Sequence, residues 1–242
     1  MKKLIALLLA LTLALALFGC KQADDPAKKS EGVMTHAEYV AAADQTEVKI
    51  EAYVQATQSW WKDQITIYAQ DTEGGYFLYN MKCSEEDSKK LVPGTKIRAT
   101  GSRTTWAGEI EIMEGTLEIL EGEYIAKVTD VTSMLESEDL IKHQNKFVSF
   151  KGLTVEASND QVAAFLYNWD GSGAEGSDSD LYFKASLNGK TYTFVIEYYL
   201  TGPDSAAYKA VQNLKVGDKI DMEGFLYWYE GMQPHITSVT VK

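Results

Sequence analysis

The amino-acid sequence predicts an all-β protein with few, short helices, built as two tandem copies of one five-stranded unit. Three observations carry this. Apolar and polar residues alternate with period two over many short runs, each closed by a turn signal. The heptapeptide Leu91-Val92-Pro93-Gly94-Thr95-Lys96-Ile97 returns, degenerate, as Leu214-Lys215-Val216-Gly217-Asp218-Lys219-Ile220. Behind each stands the same spacing of glycines, Gly101 and Gly108 in the first copy and Gly224 and Gly231 in the second.

The chain opens with a basic head, Lys2 and Lys3, followed by a run from Leu4 to Phe18 that is apolar except for Thr12. At ~1.5 Å per residue this run spans roughly 22 Å, short of the ~30 Å of a bilayer core, so it reads as a secretory signal rather than a spanning helix. It ends in Leu17-Phe18-Gly19-Cys20, which resembles the lipobox of bacterial lipoproteins. The resemblance implies a signal peptide over 1–19, cleavage after Gly19 and a diacylglyceryl group on the Cys20 sulfur. It implies a protein lipid-anchored on the extracytoplasmic face of the cell membrane. Residues 20–33 then read as the lipidated cysteine and a flexible, polar tether. If Cys20 carries lipid, Cys83 is left as a single cysteine, read as a packing residue; without a disulfide framework, hydrophobic cores must hold the fold.

Within the body, Thr35-His36-Ala37-Glu38 is a capping box that predicts a helix through about Ala43. Strands are predicted at Val48 to Ala56, at Ile65 to Ala69 and, after the turn Asp71 to Gly75, at Tyr76 to Tyr79. Ser84 to Lys90 predicts one or two helical turns. In the second copy Val148 to Gly152 is a loose counterpart of Val48 to Ala52. Asn188-Gly189 predicts a tight hairpin between Leu181–Leu187 and Lys190–Glu197. Pro203 to Asn213 predicts a helix with Pro in its first turn.

Each copy therefore orders as three strands, a short helix and two strands, with a G-x-K-I-x-x-x-G turn and strand after the helix. That order resembles the OB-fold, and more narrowly the tandem OB-fold modules of exported bacterial lipoproteins. The resemblance implies two small five-stranded Greek-key barrels, over 34–122 and 123–242, the second carrying an acidic loop insertion at 161–180. A single larger β-sandwich is the competing arrangement.

OB-folds bind ligands across one sheet face, flanked by the loops between strands 1 and 2 and between strands 4 and 5. On this assignment Trp60 and Trp61 fall in the first such loop of copy one and Trp106 in the second. In copy two, Trp169 falls in the first and Tyr227, Trp228 and Tyr229 in the second. These residues are the candidate ligand-binding set: platforms for sugar rings or bases, or else plugs of barrel ends and domain contacts. Alternation along a strand requires burial of at most one of Trp60 and Trp61.

The loop Asp170 to Asp180 offers hard oxygen ligands but breaks the EF-hand pattern at its third and fifth positions and has no closing Glu. It reads as a solvated acidic insertion, and no metal or other cofactor is expected. His36, His143 and His235 stand in no metal-ligand spacing, and no nucleophile elbow or phosphate loop occurs. Glu109 and Glu111 share one strand face and read as a solvated edge. The chain is therefore read as non-catalytic.

Charge narrows the partners. The full chain has 35 acidic and 23 basic side chains, a net of −12. Loss of Lys2 and Lys3 with the leader takes this to −14. Such a chain lacks the basic surface on which phosphate binding depends, which argues against nucleic acid. The expected function is a membrane-anchored binding or adaptor lipoprotein whose aromatic loops engage a glycan or protein; single-stranded nucleic-acid binding is the alternative, from the fold.

Overall fold

The computed structural model describes residues 25–242; the signal-peptide and lipobox assignments, Cys20 included, lie outside the described residues. Two closed five-stranded barrels form the body, each with the OB-fold order of three strands, a helix and two strands.

The first barrel contains β1 (Glu47–Thr57), β2 (Gln64–Gln70), β3 (Gly75–Lys82), β4 (Thr95–Trp106) and β5 (Glu109–Glu123), closed in the order β1-β2-β3-β5-β4. Neighbours are antiparallel except β3 and β5, whose parallel pairing closes the ring. Inward-facing residues such as Ile50, Ile67, Leu78, Ile97 and Ile112 are fully buried and form its core. Period-two alternation produces this core directly, because successive side chains point to opposite faces.

The second barrel repeats the plan with β7 (Phe147–Glu156), β9 (Leu181–Leu187), β10 (Lys190–Ile196), β11 (Lys219–Phe225) and β12 (His235–Val241). Antiparallel pairing of β7 with β9 closes it, and β10 meets β12 in parallel, as β3 meets β5. Two short strands are added: β6 (Thr129–Asp130) beside β7, and β8 (Phe165–Tyr167), which the 161–180 insertion lays against β9. Phe150, Phe183, Phe194 and Ile220 lie in its core. The competing sandwich arrangement does not occur.

The repeated heptapeptide has a physical role that the two copies share. Gly94 and Gly217 both have φ +96°, a backbone conformation that costs L side chains dearly and glycine little, and each turns the chain from helix into β4 or β11. The later glycines sit at register shifts, between Thr100 and Ser102 in β4 and at Gly224 in β11, where the strands bend to close the ring.

Helices are short and side-chain capped. The Thr35 capping box opens α1 (His36–Ala41), and Ser84 caps α2 (Glu85–Ser88). The Glu197 carboxylate accepts from the Leu200 backbone N–H and starts α3 (Tyr198–Thr201). The last helix, α4 (Ala206–Gln212), begins later than the sequence suggests: Ser205 is its cap, and Pro203 lies ahead of it. The Ser205 hydroxyl satisfies the Tyr208 N–H, which a proline ring cannot do. No helix among the described residues is long and apolar enough to cross a membrane.

The end of the expected flexible tether is strapped down. Lys29 is nearly buried and donates to Asp71 Oδ2 at 2.5 Å and to the Tyr76 hydroxyl at 3.3 Å. Ser30 bonds Glu51, and Met34 N donates to the Lys49 carbonyl. Asp71 attracts this cation because it is itself buried, with its other oxygen held by the Glu73 and Gly74 N–H groups.

Candidate functional site

The face of β2, β3 and β5 that carries ligands in OB-folds is covered in the first barrel. Outward-pointing Tyr68 (β2) and Phe77 (β3) pack with Phe225 of β11 in one apolar cluster, which Phe147 and Tyr227 border. Tyr68 stacks on Phe225 at 4.6 Å between ring centroids, and its hydroxyl lies 2.6 Å from His235 Nδ1. Gln70 Oε1 accepts the Phe147 N–H at 2.8 Å. Gly75 permits the approach, since a Cβ there would lie 2.2 Å from the Asn145 carbonyl carbon. The second barrel thus covers this face.

Both binding loops of the first barrel grip the second. In the loop between β1 and β2, Ser59 N donates to the Tyr199 carbonyl of α3 at 2.9 Å. At the β4–β5 turn, the Ala107 carbonyl accepts from Glu230 N at 2.7 Å, and the Gly108 carbonyl accepts from Gln144 Nε2 at 2.8 Å. Glu109 is the deepest link. Its side chain is 0% exposed; Oε1 accepts from Asn145 Nδ2 at 2.5 Å and Oε2 from Trp228 N at 2.9 Å.

This corrects the reading of Glu109 and Glu111 as a solvated edge: Glu111 is only 6% exposed. Alternation along β5 aimed both at what looked like solvent, and the second barrel occupies that space. Burial pushes the Glu109 carboxyl well above the usual range and Glu111 up to about 7. Across the seam Glu197 is also raised to about 7, by burial and then by the Asp180 charge, and burial raises Asp180 too. Tyrosines complete the cleft. Tyr227 feels the charges of Glu109 and Glu111 and lies within electrostatic reach of Tyr79 and Tyr182; burial first, and Glu109 second, raise its phenol. Tyr182 is pushed up to about 12 by burial and by Asp180. Tyr79 is open to solvent.

The aromatic set predicted from sequence divides. Trp61, Trp106, Trp169 and Tyr229 are 67, 59, 75 and 44% exposed. Trp60 is half-buried and donates its indole N–H to the Cys83 carbonyl at 2.8 Å. Tyr227 and Trp228 are not free platforms: Tyr227 stacks on His235 at 4.3 Å, and the Trp228 ring covers Gly108. Both serve the seam. Trp106 and Tyr229 stand next to the two residues of the Ala107–Glu230 bond, which joins the turn 106–108 to the loop 228–231. Trp61 stands two residues beyond Ser59, whose N–H holds the carbonyl of the exposed Tyr199. Sequence reasoning missed Glu197, Asp180, Tyr79 and Tyr182; no local motif marks residues that only a domain contact assembles.

The acidic insertion is tied both to its own backbone and to α3. Asp170 Oδ1 accepts from Ser172 N, Asp178 from the Tyr199 hydroxyl and Asp180 from Tyr198 N. Among the described residues no group of three or more His, Cys, Asp or Glu side chains is arranged to hold a metal ion.

No protein-family profile matches the chain, and no curated protein matches it. Among solved structures, asparaginyl-tRNA synthetase from Entamoeba histolytica aligns with 44% of this chain and 29% of its own, at 15% identity and a TM-score of 0.31. The chain thus spans under a third of that enzyme. The Ifi202 HINa domain, solved with 20-bp double-stranded DNA, aligns with 82% of this chain and 96% of its own, at 12% identity and a TM-score of 0.35. A murine DNA-binding protein bound with double-stranded DNA aligns over 80% and 94%, at 11% identity and a TM-score of 0.34.

Proposed function

We propose that the chain is a non-catalytic binding module, tethered through Cys20 to the extracytoplasmic face of the membrane, that holds a glycan along the edge of the inter-barrel seam. The observation that carries the binding site is that two exposed aromatic residues, Trp106 and Tyr229, stand on loops of different barrels joined by the Ala107–Glu230 hydrogen bond. Aromatic faces suit the C–H faces of sugar rings. A chain of net charge −12 disfavours a phosphate backbone. The β2–β3 face of the first barrel, one of the two that a nucleic-acid reading would use, is filled by the second barrel. The lipid anchor rests on Leu17-Phe18-Gly19-Cys20.

The test is an array screen of the body (residues 21–242) against glycans and oligonucleotides, repeated at low and high salt. Glycan binding that changes little with salt and is lost in both Trp106→Ala and Tyr229→Ala supports the proposal. Oligonucleotide binding that falls steeply with salt would replace it.

A further inference from the structure

Strand β5 outruns β3. Their parallel pairing ends at Lys82 opposite Thr116, yet β5 continues to Glu123 against β4 alone. Where the two strands part, the end of the β1–β2 loop, the segment from β3 into α2, and β5 line an open cavity of about 690 Å³. Its size is that of a small-molecule site, and its lining comes from the first barrel alone.

The lining is divided by chemistry. Leu91, Leu117, Ile119 and Cys83 make one apolar wall, and Ile119 is 37% exposed. A partly uncovered isoleucine on a barrel strand is apolar surface that a bound molecule would remove from water. Lys62, Lys82 and Lys90 bring positive charge. Lys90 is taken up by Glu86 and Asp87, at 3.1 and 2.9 Å. Lys62 instead lies over the Trp61 ring, 4.9 Å from its centroid, and neither Lys62 nor Lys82 is ion-paired among the described residues. Asp63 opposes these two lysines. The balance is positive by one charge, on a chain whose net charge is −12.

We propose that this cavity binds a small organic anion with an apolar body, the body against Leu91, Leu117 and Ile119 and the anionic head between Lys62 and Lys82. An aliphatic carboxylate meets both requirements. A cation of the same length meets only the first. The proposal is independent of the glycan reading.

The experiment titrates dodecanoate, below its micellar range, into the body (residues 21–242) by calorimetry, with dodecyltrimethylammonium as the chain-matched cation. Expected are saturable binding at one site for dodecanoate, affinity at least about tenfold weaker for the cation, and a similar loss in the Lys62→Glu/Lys82→Glu double variant. Both lysines are exposed, so the variant leaves the core intact. Ile119→Glu, which places a carboxylate on the apolar wall, should weaken dodecanoate by a comparable factor. Equal affinity for the two probes, affinity unmoved by either variant, or no saturable binding up to ~1 mM dodecanoate overturns the proposal.

Discussion

The Tyr68 hydroxyl and Nδ1 of His235 lie 2.6 Å apart, joining β2 of one barrel to β12 of the other in a fully buried hydrogen bond. Gln58 Nε2 donates to the same hydroxyl, and in the His235 tautomer protonated at Nε2 the Tyr68 proton goes to Nδ1. The imidazole must be neutral to accept it, and burial pulls His235 down to about 3. Tyr68→Phe removes the donor and strands a buried ring nitrogen. Urea titration should show a loss of ~1–3 kcal/mol. A loss under ~0.5 kcal/mol would mean that the bond does not help hold the seam.

The seam makes two opposed contributions to the pH dependence of stability. His235 has a folded value below its unfolded one, so its contribution is complete above the ordinary histidine range and is lost as pH falls from ~6.5 toward 3. Glu111 and Glu197 are raised to about 7, so the folded state binds their protons more tightly than the unfolded state does. Their contribution is complete below ~4.5 and is lost as pH rises to about 7. Between ~4.5 and ~6.5 the two trends oppose each other. His235→Gln removes the histidine titration and keeps an acceptor near Tyr68. Its stability should fall continuously from pH ~4.5 to ~7, while the wild type stays flatter over that window. Parallel pH profiles for the two proteins would refute this.

Glu109 pits desolvation against geometry. As an isolated buried acid it would be improved by Glu109→Gln, which removes a charge from the interior. Here both oxygens accept, from Asn145 Nδ2 and from Trp228 N. A glutamine NH₂ would turn a donor toward one of those donors. The hydrogen-bond conflict is expected to win, giving a destabilisation of ~1–3 kcal/mol in a denaturant series. A glutamine variant as stable as the wild type would mean that burial, not geometry, decides at this site.

How much of this was legible in the sequence depended on how local the cause was. Gly94 and Gly217 could be read as equivalent turn residues because the constraint, a positive φ after a helix, lies within one heptapeptide. The Asn188-Gly189 hairpin was legible for the same reason; Asn188 and Gly189 adopt φ 52° and 81°. Glu109 and Glu111 were misread together, while Tyr227 and Trp228 stayed open between ligand platform and domain contact. Alternation reports which side of a strand leaves its own core, and it does not distinguish water from a second domain. The helix start at Ser205 was missed because a proline signal and a serine cap stood two residues apart. The strap was missed because the partner of Lys29, Asp71, is 42 residues away.

The strap is testable. Lys29→Met keeps the aliphatic stem and removes the charge that Asp71 receives. Asp71 retains its bonds from Tyr76, Glu73 and Gly74, so the cost should be ~1–3 kcal/mol rather than the larger cost of an abandoned buried charge. Proteolysis should then cut at Lys28 and within residues 30–34 faster than in the wild type. Unchanged cleavage and stability would mean that the segment is not held by this pair.

Tryptophan replacement separates the platform from the packing. Trp61 and Trp106 are mostly open to solvent, so truncation removes little buried area, and each Ala variant should lose less than ~1 kcal/mol. Trp60 is half-buried, and its indole N–H supplies the Cys83 carbonyl. Trp60→Ala gives up both the burial and the hydrogen bond, for an expected ~2–4 kcal/mol. Iodide should quench Trp61, Trp106 and Trp169 in the native protein and largely spare Trp60 and Trp228. The two readouts must agree. A loss above ~3 kcal/mol at Trp106, or fluorescence that iodide cannot reach, would show the β4–β5 tip to be packing. The glycan proposal would then lose the aromatic pair on which it stands.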